Sequence, residues 1–307
     1  MALNNPAFSN PAFQDPKAVQ TYPGGRQAAS LTPPAAQTQF SAAQHAATDA
    51  ATQAHLEGMY AAPSAGAVET DRMSVEDTVW KTLGLFAILV ATAAVGWVWT
   101  MAGVTAENPS PNVLPWVIGG LGGFVLAMVV IFSSRKKVRP ALIFAYAAFE
   151  GLFIGGISAF FEMIWTGIVL QATLGTFAVV GVTLALFASG KIRASKRATK
   201  IFLIAMVGYL VFSLVNVGLM LFGATDSAFG LRSEVEIFGI PLGVIIGLLV
   251  VVMAAYSLVL DFDQIQQGVR NGARREFGWL GGFGIMVTVV WLYVEILRIL
   301  AILRGGE

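Results

Sequence analysis

IFGIPLGVIIGLLVVVMAAYSLVLD, residues 237–261, runs for twenty-four residues without a charge and closes on Asp261. A helix needs about 20 apolar residues to cross roughly 30 Å of hydrocarbon, so this stretch reads as a membrane span. Lipid offers no partner to free backbone amides, which obliges the run to be helical. Pro241 falls in its first turns, where a kink is tolerated. Six further runs share its character, at approximately 79–102, 113–133, 140–161, 168–189, 201–223 and 284–303. The 307-residue chain is 56% hydrophobic and 12% charged, against roughly 25% charged residues in a soluble domain. Its mean hydropathy is +0.71. The expected fold is an all-α membrane protein with seven transmembrane helices in contact with a lipid bilayer.

Two domains are expected: residues 1–73 as a cytoplasmic tail and 74–307 as the transmembrane domain. The first part is rich in Ala, Pro, Gln, Ser and Thr and holds too little large apolar surface to offset the entropy of ordering, so it is expected to be disordered. It contains a short repeat, Asn5-Pro6-Ala7-Phe8 and Asn10-Pro11-Ala12-Phe13, which reads either as a docking motif or as plain linker. No signal peptide is expected. At Ser74 and Asp77, three apart as in a helix cap, the apolar runs begin.

Basic residues separate the connecting segments. Arg135, Lys136, Lys137 and Arg139 fall in the second, Lys191, Arg193, Lys196, Arg197 and Lys200 in the fourth, and Arg270, Arg274 and Arg275 in the sixth. The odd segments carry only Arg232. This asymmetry places the amino terminus in the cytoplasm and the carboxyl terminus outside. The segment 270–283, with Phe277 and Trp279 beside its arginines, is expected to lie at the cytoplasmic interface before the last span. The clusters Gly119, Gly120, Gly122, Gly123 and Gly151, Gly155, Gly156 read as sites of close helix packing.

Several chemistries lack their parts. There is no cysteine, and both histidines, His45 and His55, lie in the tail, which removes thiolate and imidazole ligands and a histidine base from the spans. No Gly-x-Gly-Asp or His-Glu-x-x-His element occurs, and the last span has no lysine for a Schiff base. No enzyme activity, catalytic residue or cofactor is expected. A net charge of +1 gives no reason to expect a nucleic-acid partner.

Charge within a span is costly and marks a functional candidate. Glu150 stands at the centre of the third span with Tyr146 one turn before it. It has no basic neighbour on its own helix, so it reads equally as a neutral acid that donates a hydrogen bond. Asp261 and Asp263 close the sixth span, about 200° apart around a helix, so only one of them can face the bundle. Ser257 and Ala254 lie on the face of Asp261 and favour it as the inward residue, leaving Asp263 to the headgroups or the basic sixth loop as a solvated charge. Glu295, eleven residues past Gly284, is placed near mid-membrane. Its plain alternative is a structural ion pair with Arg298. Two carboxylates brought together from neighbouring helices would share a proton and sense pH, and their oxygens suit calcium.

Leu260-Asp261-Phe262-Asp263-Gln264-Ile265 and Trp291-Leu292-Tyr293-Val294-Glu295-Ile296-Leu297, together with Phe149-Glu150-Gly151 and the basic second loop, resemble the Bax inhibitor family, including its bacterial YccA-like branch. The resemblance covers about residues 78–303. It implies six helices around a central seventh and a pH-sensitive calcium leak set by two acids, which fall on Asp261 and Glu295 here and would also be the place for a calcium ion. Arg135, or a neighbour, would correspond to the arginine that pairs with the acidic site in some members. The seventh-helix acid is Glu where the family pattern has Asp, and the connection between the two acids is longer than usual. The YccA-like branch also implies a second reading, a non-enzymatic regulator or binding partner of a membrane protease or other membrane complex. It further implies a bacterial plasma membrane.

Overall fold

The computed structural model describes residues 71–225, 227 and 229–305. Residues 1–70, with the Asn-Pro-Ala-Phe repeat and both histidines, lie outside that set. Seven helices are long and apolar enough to cross a membrane: α1 Val75–Met101, α2 Leu114–Ser134, α3 Pro140–Ile164, α4 Ile168–Ala188, α5 Lys196–Leu221, α7 Leu242–Arg270 and α8 Phe277–Gly305. Between α5 and α7 stand a single turn, α6 Leu231–Glu234, and a hairpin of β1 Glu236–Ile237 with β2 Ile240–Pro241. The hairpin turns through Phe238 and Gly239, both at positive φ (55° and 78°), as a two-residue hairpin turn of the primed type requires.

Local sequence sets the helix starts. Ser74 is extended, and its Oγ accepts the Asp77 amide at 3.1 Å. Ser195 caps α5 in the same way through the Ala198 amide, satisfying an amide that the first turn leaves without a partner. Pro115 and Pro140 occupy first-turn positions in α2 and α3, where no amide hydrogen is needed.

The last two spans differ from the sequence expectation. The sixth begins at Leu242, since residues 236–241 fold as the hairpin, and Pro241 precedes the helix. It continues to Arg270, so Asp261 sits nine residues, about 13 Å, inside its end and does not close it. The seventh starts at Phe277, so the second half of the segment expected at the interface, 277–283, already belongs to the last helix. Its glycines explain the difference. A Cβ on Gly278 would stand 3.1 Å from Lys81 Nζ, and one on Gly282 would stand 3.0 Å from Thr82 Oγ1, so these residues let α1 lie against the first turns of α8.

α8 is the most buried helix. α1, α3, α4 and α7 pack against it, whereas α2 packs chiefly on α3. Leu85, Leu89, Tyr146, Leu280, Phe283 and Met286 form the heart of the main core, with Tyr146 edge-on to Phe283 at 4.9 Å between ring centres. Large apolar side chains such as Leu121, Phe124, Phe177, Ile204 and Val252 point outward, as lipid contact demands. The glycine clusters pack as expected: a Cβ on Gly151 would overlap the Leu89 carbonyl, one on Gly155 the Ala93 carbonyl, and one on Gly119 the backbone at Phe153. α5 has little buried apolar surface and is tied on by hydrogen bonds, among them Thr199 to Tyr256 at 2.9 Å and Asn216 to the Leu231 amide and the Phe229 carbonyl.

The chain ahead of α1 is anchored. Asp71 to Met73 pair with the connection between α7 and α8: the Met73 amide donates to the Ala273 carbonyl at 2.7 Å, the Arg275 amide to the Asp71 carbonyl at 2.9 Å, and Arg72 bridges Arg274. Met73 is buried there.

Gly155→Val should prise α1 from α3 and lower stability by about 1–3 kcal/mol or prevent folding. Gly208→Ala, on an open face of α5, should be neutral or stabilise by about 0.5–1 kcal/mol. Thermal unfolding of both variants in detergent checks the contrast.

Candidate functional site

α7 and α8 run antiparallel in a fixed register. Gly243 meets Ile302, Gly247 meets Ile299, Ser257 meets Thr288 and Gly281 meets Ile265. In this register the level of Asp261 on α7 and that of Glu295 on α8 are about ten residues apart, roughly 15 Å along the axis. The paired carboxylates expected from the sequence are therefore not formed. Each acid has its own polar setting.

Asp261 is completely buried. Its Oδ2 accepts the Thr288 hydroxyl at 2.7 Å, and Thr288 lies 3.3 Å from the Ser257 hydroxyl, one turn before Asp261. Gln264, on the same face and also buried, holds its Oε1 without a hydrogen-bond partner. Asp263 turns away to a half-buried position, where Gln267 donates to it at 3.0 Å.

Glu295 is equally sealed, at 1% exposure, but it is ion-paired with Arg298 one turn on and accepts the Tyr209 hydroxyl at 3.1 Å. Arg298 also donates to Tyr209 at 3.0 Å. Glu295 lies eighteen residues into α8, about 27 Å from its start and about 6 Å past the helix midpoint, on the side away from the α7–α8 turn. Glu150 points to neither of the others. Its carboxylate faces Gly123 of α2 in a notch of about 360 Å³ lined by Gly120, Phe124, Ala127 and Phe153, with Tyr146 as its polar neighbour. Arg135 is exposed at the end of α2, over the Phe132 ring at 5.9 Å.

A further charged group at the end bearing the α7–α8 turn was not foreseen. Asp77 binds Lys81, and its Oδ1 takes two bonds from the Arg275 guanidinium at 2.8 and 3.0 Å. The Lys81 ammonium also donates to the Arg275 carbonyl at 2.6 Å. Lys81 is a charge inside an expected span, which is the signal that was available for it; Arg275 gave none beyond the basic content of its loop. Thr288 and Tyr209 carry no charge, and so the rule that singled out the acids passed over them.

These features define a polytopic helical membrane protein that holds acids inside its bundle. The chain belongs to the Bax inhibitor 1 like family, whose model matches residues 5–305. That family is one of membrane proteins not known as enzymes. The chain matches no curated protein and no solved structure.

Removing one member of a buried ion pair strands the other charge. Arg298→Gln should cost about 3–5 kcal/mol, and adding Glu295→Gln should recover most of it. A double-mutant cycle by thermal unfolding measures the coupling, and strictly additive losses would show that the pair does not hold Glu295.

Proposed function

We propose that the protein is a pH-sensitive calcium leak of its membrane, with Asp261 as the proton-sensing group. The observation that carries this reading is the buried trio of Asp261, Thr288 and Gln264. As a carboxylate, Asp261 accepts from Thr288 and can offer nothing to the partnerless Gln264 oxygen. Protonated, it gains an O–H to donate, and the Gln264 oxygen, one turn along the same face of α7, is an acceptor left open for it. Hydrogen bonding across α7 and α8 then rearranges, and the packing between the two helices shifts with it.

The full burial of Asp261 supports reading this arrangement as a closed form. Calcium is proposed as a permeant ion. Carboxylate and amide oxygens are the ligands it prefers, and among the described residues no three His, Cys, Asp or Glu side chains converge as a resident site would need. Glu295, held by Arg298, is assigned to structure. Glu150, which faces α2 from α3 and meets neither of the other two acids, is assigned outside the path. A bacterial plasma membrane, with the basic end and the amino terminus on the cytoplasmic side, completes the proposal. A non-enzymatic regulator of a membrane protease or other complex is the second reading, favoured by the strap at Asp71–Met73, which fixes where the preceding seventy residues join the bundle.

Calcium flux into liposomes across a pH series tests both readings. Wild-type flux should change with pH by at most about tenfold per unit, the limit for one titrating proton. Asp261→Asn should flatten the response, and Glu295→Gln should retain it. A full response in Asp261→Asn would sink the assignment. Deleting residues 1–70 should leave flux intact; a wild-type protein with no flux, whose binding to a membrane partner is lost with that deletion, would favour the regulator.

A further inference from the structure

Arg232 is the lone basic residue among the odd connections, yet it is 5% exposed. Its guanidinium lies over the rings of Tyr209 and Phe212, at 5.4 and 5.3 Å from their centres. Nη2 donates to Ser213 Oγ at 2.8 Å, whereas Nη1 is buried with no partner. Arg298 reaches the hydroxyl of the same Tyr209, and its Nε is likewise buried and partnerless. Glu295 is the carboxylate bound in this group. Glu234, next to Arg232 in α6, is exposed and accepts the Ser227 amide at 3.0 Å in the loop.

Among the described residues, two guanidiniums against one buried carboxylate leave a positive charge and two idle N–H groups in a low-dielectric setting, where both are costly. We propose that Arg232 and Arg298, gathered on Tyr209, bind a phosphate group between α5 and the α7–α8 pair. The guanidinium fork suits an oxyanion with several acceptor oxygens. Arg298 lies seven residues, about 10 Å, before the end of α8, at the end of the bundle opposite the basic loops. That level is within reach of phospholipid headgroups. The wall over the site is α5, which brings Tyr209, Phe212 and Ser213 and is the least buried of the seven spans, so a modest displacement of that helix admits the ligand.

Thermal unfolding of the full-length protein in detergent tests this, with titrations of inorganic phosphate, short-chain phosphatidylglycerol and, as the phosphate-free control, short-chain diacylglycerol. The wild type should gain about 2–4 °C or more from a phosphate-bearing ligand and nothing from diacylglycerol. A gain from inorganic phosphate identifies a free anion as sufficient; a gain from the phospholipid alone identifies a headgroup. Arg232→Gln should abolish the gain, while Arg304→Gln, at the same end but bonded to Thr166 and Gln171, should keep it. If Arg232→Gln does not fold, Arg232→Lys serves, keeping the charge without the fork and weakening binding by at least about tenfold. Equal shifts from phospholipid and diacylglycerol, no shift from any ligand, or a shift that survives replacement of Arg232 would each overturn the proposal.

Discussion

The antiparallel register of α7 and α8 decides where every buried acid of the last two spans can go. Gly243, Gly247 and Gly281 remove the side chains that would hold the two helices apart, and the resulting closeness sets the register in which they meet. Asp261 must then meet Thr288, and Glu295 must find its partner elsewhere, in Arg298 and Tyr209. A charge in hydrocarbon is tolerated only where donors are waiting for it. The rest of the bundle, with α1, α3 and α4 closing around α8, encloses that arrangement.

Much of the fold was legible because the bilayer imposes a simple rule. A stretch such as 168–189 has few alternatives to a spanning helix, and the observed Ile168–Ala188 follows from that constraint alone. The glycine clusters of α2 and α3 were legible for a related reason: in lipid, close approach of backbones is one of the few forces that joins helices. The start of the last span was not. Glycines and arginines at 270–283 have the composition of an interface, and only the contact with α1 shows that the glycines serve packing. The hairpin at 236–241 was hidden because its isoleucines and Pro241 read as a continuation of the apolar run.

The polar sites were legible one residue at a time. Angular position around a helix separated Asp261 from Asp263. The level of each acid along its helix, and hence which acids meet, depends on where helices start and how pairs are registered, and neither quantity is written locally. Neutral partners such as Thr288 and Tyr209, and Arg232 with its buried guanidinium, become visible only when distant segments are placed side by side.

The strap at Asp71–Met73 has a mechanical consequence. The chain is fastened to the α7–α8 turn before it enters α1, so a pull on the preceding residues would load that turn first and reach α1 only through the anchor. The Asp77, Lys81 and Arg275 group stiffens the same corner. Tension applied from outside the membrane domain thus arrives at the end of the helix pair that holds Asp261, without passing through the lipid-facing shell.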